Sequence, residues 1–360
     1  MWPYIVLIIL PILIHHISIR NEKIHVVYSG KNNNYAISFF WIILLFLLVL
    51  RHKTVGIDLA VYERIYDDIA RSDWVSAIGR SPEIGNNLLN KVVSVFTEDF
   101  RWVMIISAIL AVSFVARAYR NYTSDAALTI ALFVNMSNFI LLFSGLKQCI
   151  AISLGFLAFE LTRKKRIIPF ILVTILAMLF HTSAFMIVFM YPIYHVRMKK
   201  SWLIWVIPLM VLVYVYNKPI FSFLGIILNT FTDYDTTITL TGSITMLVLF
   251  ILFAIFSFLI PDEAIMDRDT IGMRNFLMFS VILQMFAPLH LLAMRMNYYY
   301  IIFIPLLIPR IISCRSIRWK QVAMMARYIM IVFFITYFLI SAPKDNVLQT
   351  FPYHFFWETV

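Results

Sequence analysis

The chain is expected to be all-α: a polytopic transmembrane helical bundle of about 12 spans. Three observations carry that expectation. Of the 360 residues, 62% are hydrophobic and only 14% charged, whereas a soluble domain carries roughly 25% charged residues. Apolar runs of about 18 residues, long enough to cross a bilayer, recur along the whole chain. The alternation of apolar and polar residues that marks a membrane barrel is absent. No linker, low-complexity tract or short-period repeat interrupts the pattern, so residues 1–360 read as a single integral membrane domain.

In chain order, spans are expected at 2–19, 35–50, 101–119, 126–143, 145–161, 167–180, 183–196, 202–217, 243–260, 275–292, 298–312 and 327–341. The first lacks a basic start and a small-residue cleavage site, so it reads as a retained span and not a signal peptide. Cys149 and Cys314 provide no disulfide framework. The net charge of +11 could suggest nucleic acid. It is better explained by topology, because basic residues gather in cytoplasmic loops. The stretches "RNEKIHVVYSGK", "RAYR", "TRKKR", "RMKK", "MDRDTIGMR" and "CRSIRWK" all fall on one side, which is therefore cytoplasmic. Both chain ends then face outward, as does a large loop over residues 51–101. Leu59, Tyr62, Ile65, Tyr66 and Ile69 have helical spacing within it. They predict an amphipathic helix that lies on the membrane or caps the bundle.

The apolar run 167–196 is interrupted near its centre by His181, Thr182 and Ser183. A straight helix of about 30 residues would span about 45 Å and carry one flanking basic cluster to the outside. Two halves of about 14 residues reach only about 21 Å each, short of the ~30 Å hydrocarbon core. The expectation is a short polar helical hairpin with His181 at its tip, in an outward-facing recess.

This topology collects Arg51, Asp58, Glu83, Lys147, His181 and Arg295 at the outer face. Each has an ordinary structural use. Arg51 could be an interfacial anchor, Asp58 a turn or cap residue, Lys147 a snorkelling lysine, and His181 a hydrogen-bonded core histidine. The "YYY" of residues 298–300 fits an aromatic belt. His15 and His16 are adjacent rather than spaced for ligation, so no metal is expected. The functional reading rests on convergence: residues far apart in sequence come to one face, where polar groups are costly to insert. Three cations, two carboxylates and an imidazole suit a doubly anionic substrate with a reactive hydroxyl nearby.

At these residues the chain resembles the EpsG-type family of Wzy-like polymerases of O-antigen, capsule and exopolysaccharide. The matching pieces are "RHKTVGIDLAVY", "GLKQCIA", "FHTSA", "MRMNYYY" and "PYHFFWE". The family usually has arginine where Lys147 stands; lysine keeps the charge but loses the bidentate fork. The resemblance implies a multi-pass glycosyltransferase of the bacterial cytoplasmic (inner) membrane whose site faces the periplasm or cell exterior. It would join undecaprenyl-pyrophosphate-linked oligosaccharide repeat units, with no cofactor, metal or nucleotide sugar. Membrane lipid and a chain-length-regulating co-polymerase are the implied partners, and nucleic acid is not.

Within that reading Arg51, Lys147 and Arg295 bind pyrophosphate. His181 is the first choice of general base, because imidazole titrates near neutral pH. Asp58 and Glu83 are the other catalytic candidates, as bases or as acceptors from sugar hydroxyls. Gln148, Tyr62, Asn297, Tyr298, Tyr299 and Tyr353 are the candidate substrate contacts. The alternatives are a lipid-linked oligosaccharide flippase or transporter, which often shows matching halves, and a membrane acyltransferase modifying surface glycan. No repeated half is present in the sequence.

Overall fold

Several helix starts are set by short polar side chains between apolar runs. Asp73 accepts from the N–H groups of Val75 and Ser76, Asp125 from Leu128, Asp267 from Thr270, and His290 from Leu292. A computed structural model describes residues 1–21, 30–228, 240–344, 346 and 348–360. Part of the basic loop expected at 20–31 lies outside the described residues. Among those described there is no β-strand; two isolated bridges pair Arg51 with Phe355 and Pro261 with Arg315.

The chain divides into two compact units. The first comprises Met1–Val188 and Met324–Val360. It contains α1 (Trp2–Asn21), α2 (Gly30–Leu50), α3 (Leu59–Arg71), α4 (Trp74–Gly79), α5 (Ile84–Phe96) and α6 (Arg101–Tyr122). It continues with α7 (Ala126–Phe133), α8 (Ser137–Ser144), α9 (Leu146–Arg163) and α10 (Ile167–Phe180). The second unit, Phe189–Ala323, contains α11 (Met190–His195), α12 (Leu203–Val215), α13 (Asn217–Leu228) and α14 (Leu240–Leu259). It also holds α15 (Arg268–Gln284), α16 (Leu291–Ile301) and α17 (Ile304–Ser313). The last helix, α18 (Lys320–Ser341), begins in the second unit and runs into the first.

Among the described residues, three helices can cross a membrane by length and composition: Arg101–Tyr122, Gly242–Leu259 and Ile317–Ser341. Three bent pairs raise that to six if each pair is one span. Trp2–His16, Asn34–Leu50 and Ile167–Phe180 are apolar but shorter. The unbroken span expected at 126–143 is instead α7 and α8, bent by 62°. Asn135 holds the break, donating from Nδ2 to Ala131 O and Phe334 O, both at 2.8 Å. The expected span 298–312 is likewise broken, with a 41° bend between α16 and α17. The second helix restarts at Pro305, whose ring fits a first turn and cannot continue the preceding ladder.

The "MDRDTIGMR" stretch, expected as a loop, is mostly helix, and α15 begins at Arg268 rather than near 275. Asp267 caps it, and two of its polar side chains bond to neighbours within the second unit. Tyr194 Oη donates to Asp269 at 2.6 Å, and Asn275 Nδ2 to Val196 O at 2.8 Å. Hydropathy could not detect a helix whose first turns bury paired polar groups.

The amphipathic segment of the 51–101 region is α3, with Leu59, Tyr66 and Ile69 buried. Leu59 and Tyr66 pack with Val93, Phe100, Val103, Met104 and Leu146. The apolar face of α3 therefore caps α5, α6 and the start of α9, each buried side chain contributing about 1.5–3 kcal/mol.

Candidate functional site

Helix α10 is apolar apart from Thr174 and contains neither glycine nor a late proline to stop it. It stops because His181 adopts an extended backbone, φ −152° and ψ 123°, while its N–H still donates to Ala177 O at 3.0 Å. The new direction is held by a carboxylate from elsewhere in the chain. Glu83 Oε1 lies 2.6 Å from His181 Nδ1 and accepts the Thr182 N–H at 3.3 Å.

Glu83 immediately precedes α5. It sits at the N-cap position but makes no side-chain cap hydrogen bond there, since its carboxylate is turned to His181. Close packing permits this: a Cβ on Gly85 would lie 3.1 Å from Leu179 O, so the start of α5 rests against the last turn of α10. The second carboxylate oxygen, Oε2, pairs with Lys147 Nζ from the first turn of α9. Lys147 Nζ also lies 5.9 Å from the centroid of the Tyr62 ring.

The Glu83 and His181 side chains are about one-tenth exposed and Lys147 about one-quarter. Burial by itself pushes the Glu83 carboxyl up, but the His181 hydrogen bond and then Lys147 outweigh it, holding the pKa at about 2. Glu83 is thus a carboxylate at any physiological pH. A carboxylate accepts and cannot donate, so the proton of a neutral His181 ring sits on Nδ1. The lone pair is then on Nε2, which is buried and has no hydrogen-bond partner among the described residues. An oriented imidazole with an unengaged basic nitrogen can take a proton from a hydroxyl brought to it.

Asp58 and Arg51 lie on the segment leading into α3, which docks against residues 142–144. Asp58 Oδ2 accepts from Ser144 Oγ at 2.8 Å, and the Asp58 N–H donates to the same oxygen at 3.2 Å. The approach requires Gly56, whose φ is +126° and whose absent Cβ would collide with Phe143 O. Asp58 thereby anchors the turn that feeds Lys147. Arg51 is 1% exposed and donates from Nη1 to Leu142 O at 3.3 Å.

The other expected residues are packed. Tyr353 is buried in the first unit and donates its hydroxyl to Leu47 O at 2.8 Å, tying down the 351–357 segment. Gln148 is buried next to Lys147 on α9. Arg295, Asn297, Tyr298 and Tyr299 belong to α16 of the second unit. There Asn297 Nδ2 donates to Ser280 O at 3.1 Å and Gln284 Oε1 at 3.0 Å, and both tyrosines are buried. The structure thus brings His181, Glu83, Lys147 and Tyr62 together, with Asp58 bracing them through Ser144. Sequence reasoning missed Ser144, whose signal was a small hydroxyl just before "GLK". Arg101, at the start of an apolar run, carries no further sequence signal.

The model of one protein family, described as the EpsG family, matches residues 34–355. No curated protein and no solved structure matches the chain.

Proposed function

The chain belongs to the EpsG family, a Wzy-like polysaccharide polymerase family, and on that premise we propose that it polymerises lipid-linked oligosaccharide repeat units. The substrates in this reading are units carried on undecaprenyl pyrophosphate, and the product is an O-antigen, capsule or exopolysaccharide. The bundle would cross the cytoplasmic membrane up to nine times counting the three bent pairs and the three shorter apolar helices as spans, and about 12 times if further helices of the hydropathy reading also cross. The outward orientation rests on the distribution of basic loops.

His181 Nε2 removes the proton of an acceptor hydroxyl as that oxygen attacks the anomeric carbon of the growing glycan. The new glycosidic C–O bond forms as the bond to pyrophosphate breaks. The lipid pyrophosphate leaves with the electron pair, and the proton stays on the imidazole until water removes it. Glu83 is a positioning residue: it fixes the tautomer and stabilises the imidazolium that forms. Lys147 keeps Glu83 ionised and orients it. Arg51 supplies a cation for the pyrophosphate charge.

One observation carries the proposal: the buried His181 ring has Nδ1 held by Glu83 and Nε2 unengaged. The test is incubation of the purified protein with a synthetic lipid-pyrophosphate repeat unit, without nucleotide sugar and with a chelator. A ladder of lengthening products is expected. A wild-type protein that binds the lipid yet yields no ladder would sink the reading.

A further inference from the structure

Among the described residues, Arg51 is a buried cation without a counterion. No carboxylate among the described residues pairs with it, and its Nε and Nη2 have no hydrogen-bond partner. The guanidinium lies over Phe143, 5.9 Å from the ring centroid. A buried charge left unpaired is strongly unfavourable, so an anion from outside the chain would relieve it.

Arg51 lines a cavity of about 310 Å³, together with His52, Lys53, Glu63, Asp99, Arg101 and Phe356 among others. Arg101 reaches it from the first turn of α6, its guanidinium carbon 3.1 Å from the Phe356 ring centroid. The Arg101 Nε is also unpartnered among the described residues. Stacking on a ring leaves the in-plane edge of a guanidinium free to grip an oxyanion. The two carboxylates of the cavity are already engaged. Glu63 pairs with Lys53 at 2.9 Å, and Asp99 Oδ1 accepts the Arg101 backbone N–H at 2.9 Å. Three cations face two carboxylates, so the cavity keeps an excess of positive charge. The wall carrying Phe356 is fixed by backbone hydrogen bonds. His52 N–H donates to His354 O at 2.8 Å, and Phe356 N–H to Leu50 O at 2.9 Å.

We propose that this cavity is a phosphate-class anion site, with Arg51 and Arg101 as its two forks, and that it seats the pyrophosphate of a lipid carrier in a cavity whose lining does not include Glu83, Lys147 or His181. The carrier assignment rests on the polymerase reading; the anion site does not. The pyrophosphate has two sources in such a reaction, the departing carrier of the growing chain and the carrier of the incoming unit.

The experiment measures binding of inorganic pyrophosphate to the full chain in nanodiscs, by titration and by the shift in melting temperature. Wild type is expected to bind saturably and to melt higher with pyrophosphate. Arg101→Gln should weaken binding by roughly tenfold to hundredfold, the usual range for a lost charge-assisted contact. Arg51→Met should abolish the ligand-induced shift and melt higher than wild type without ligand, because it removes an unpaired buried charge. A structural role for Arg51 moves its melting point the other way. If Arg51→Met does not fold, Arg101→Gln decides. Wild-type affinity in Arg101→Gln, or an equal shift from sulfate at matched ionic strength, overturns the site.

His181→Gln should keep full pyrophosphate affinity while losing polymerisation, which separates this site's failure from that of the proposed base. Displacement by undecaprenyl pyrophosphate assigns the site to the departing carrier. Displacement by the lipid-linked repeat unit alone assigns it to the incoming one. If neither competes, the carrier assignment falls.

Discussion

Two buried carboxylates in the first unit each pair with a cation, yet they treat histidine differently. Asp125 accepts the Leu128 N–H at 3.2 Å as the cap of α7 and pairs with Arg327 of α18. His15, on α1, is buried with neither ring nitrogen hydrogen-bonded among the described residues. Glu83 instead divides its oxygens between Lys147 and His181. At Asp125 the carboxylate joins two helices and serves packing. At Glu83 it spends its cap position on an imidazole, fixing the tautomer and leaving the other nitrogen bare. A buried ion pair alone is therefore no sign of chemistry; what distinguishes the second is an oriented base.

The largest effect that could break this contrast is on turnover. His181→Gln should lower the polymerisation rate about 10²–10⁴-fold at matched folded concentration, the usual worth of a general base. Lipid binding and melting temperature should stay near wild type. Full activity in this variant would make His181 another His15, and Asp58 the next candidate. The next largest effect belongs to the other region. Asp125→Ala removes the carboxylate partner of the buried Arg327, a loss of about 3–5 kcal/mol. It should appear as a lower melting temperature and yield, with surviving molecules turning over normally.

Glu83→Gln sharpens the contrast further. The amide can still accept from Thr182 N–H, so the fold should hold, but it no longer stabilises the imidazolium. A rate loss of about 10-fold to 10³-fold is expected, with lipid affinity retained. The same carboxylate has a signature in acid. Its folded pKa of about 2 lies below the ordinary 4.5, so its stabilising contribution is complete above pH 4.5 and is lost as pH falls towards 2. Acid titrations of melting temperature should show that loss in wild type and not in Glu83→Gln. The smallest effect is at Asp58. Asp58→Asn keeps an acceptor for Ser144 Oγ, and activity should change by no more than about threefold, an effect under 1 kcal/mol. A loss as large as that of His181→Gln would move the base to Asp58.

The sequence by itself determined the helical, apolar character of the chain, because hydropathy and helical period are local properties. It determined the amphipathic α3 from five spaced residues and marked His181 as the point where an apolar run must stop. Topology narrowed the chemistry to six charged or ionisable residues. Only the tertiary structure decided how they pair. Glu83 meets His181 across 98 residues and Lys147 across 64, and nothing in local spacing distinguishes Glu83 from Asp58 as that partner. Packing of α5 against the end of α10 makes the choice. The bend at Asn135 and the polar first turns of α15 escaped hydropathy for the same reason. Each depends on hydrogen-bond partners supplied by distant segments, which a window along the chain does not contain.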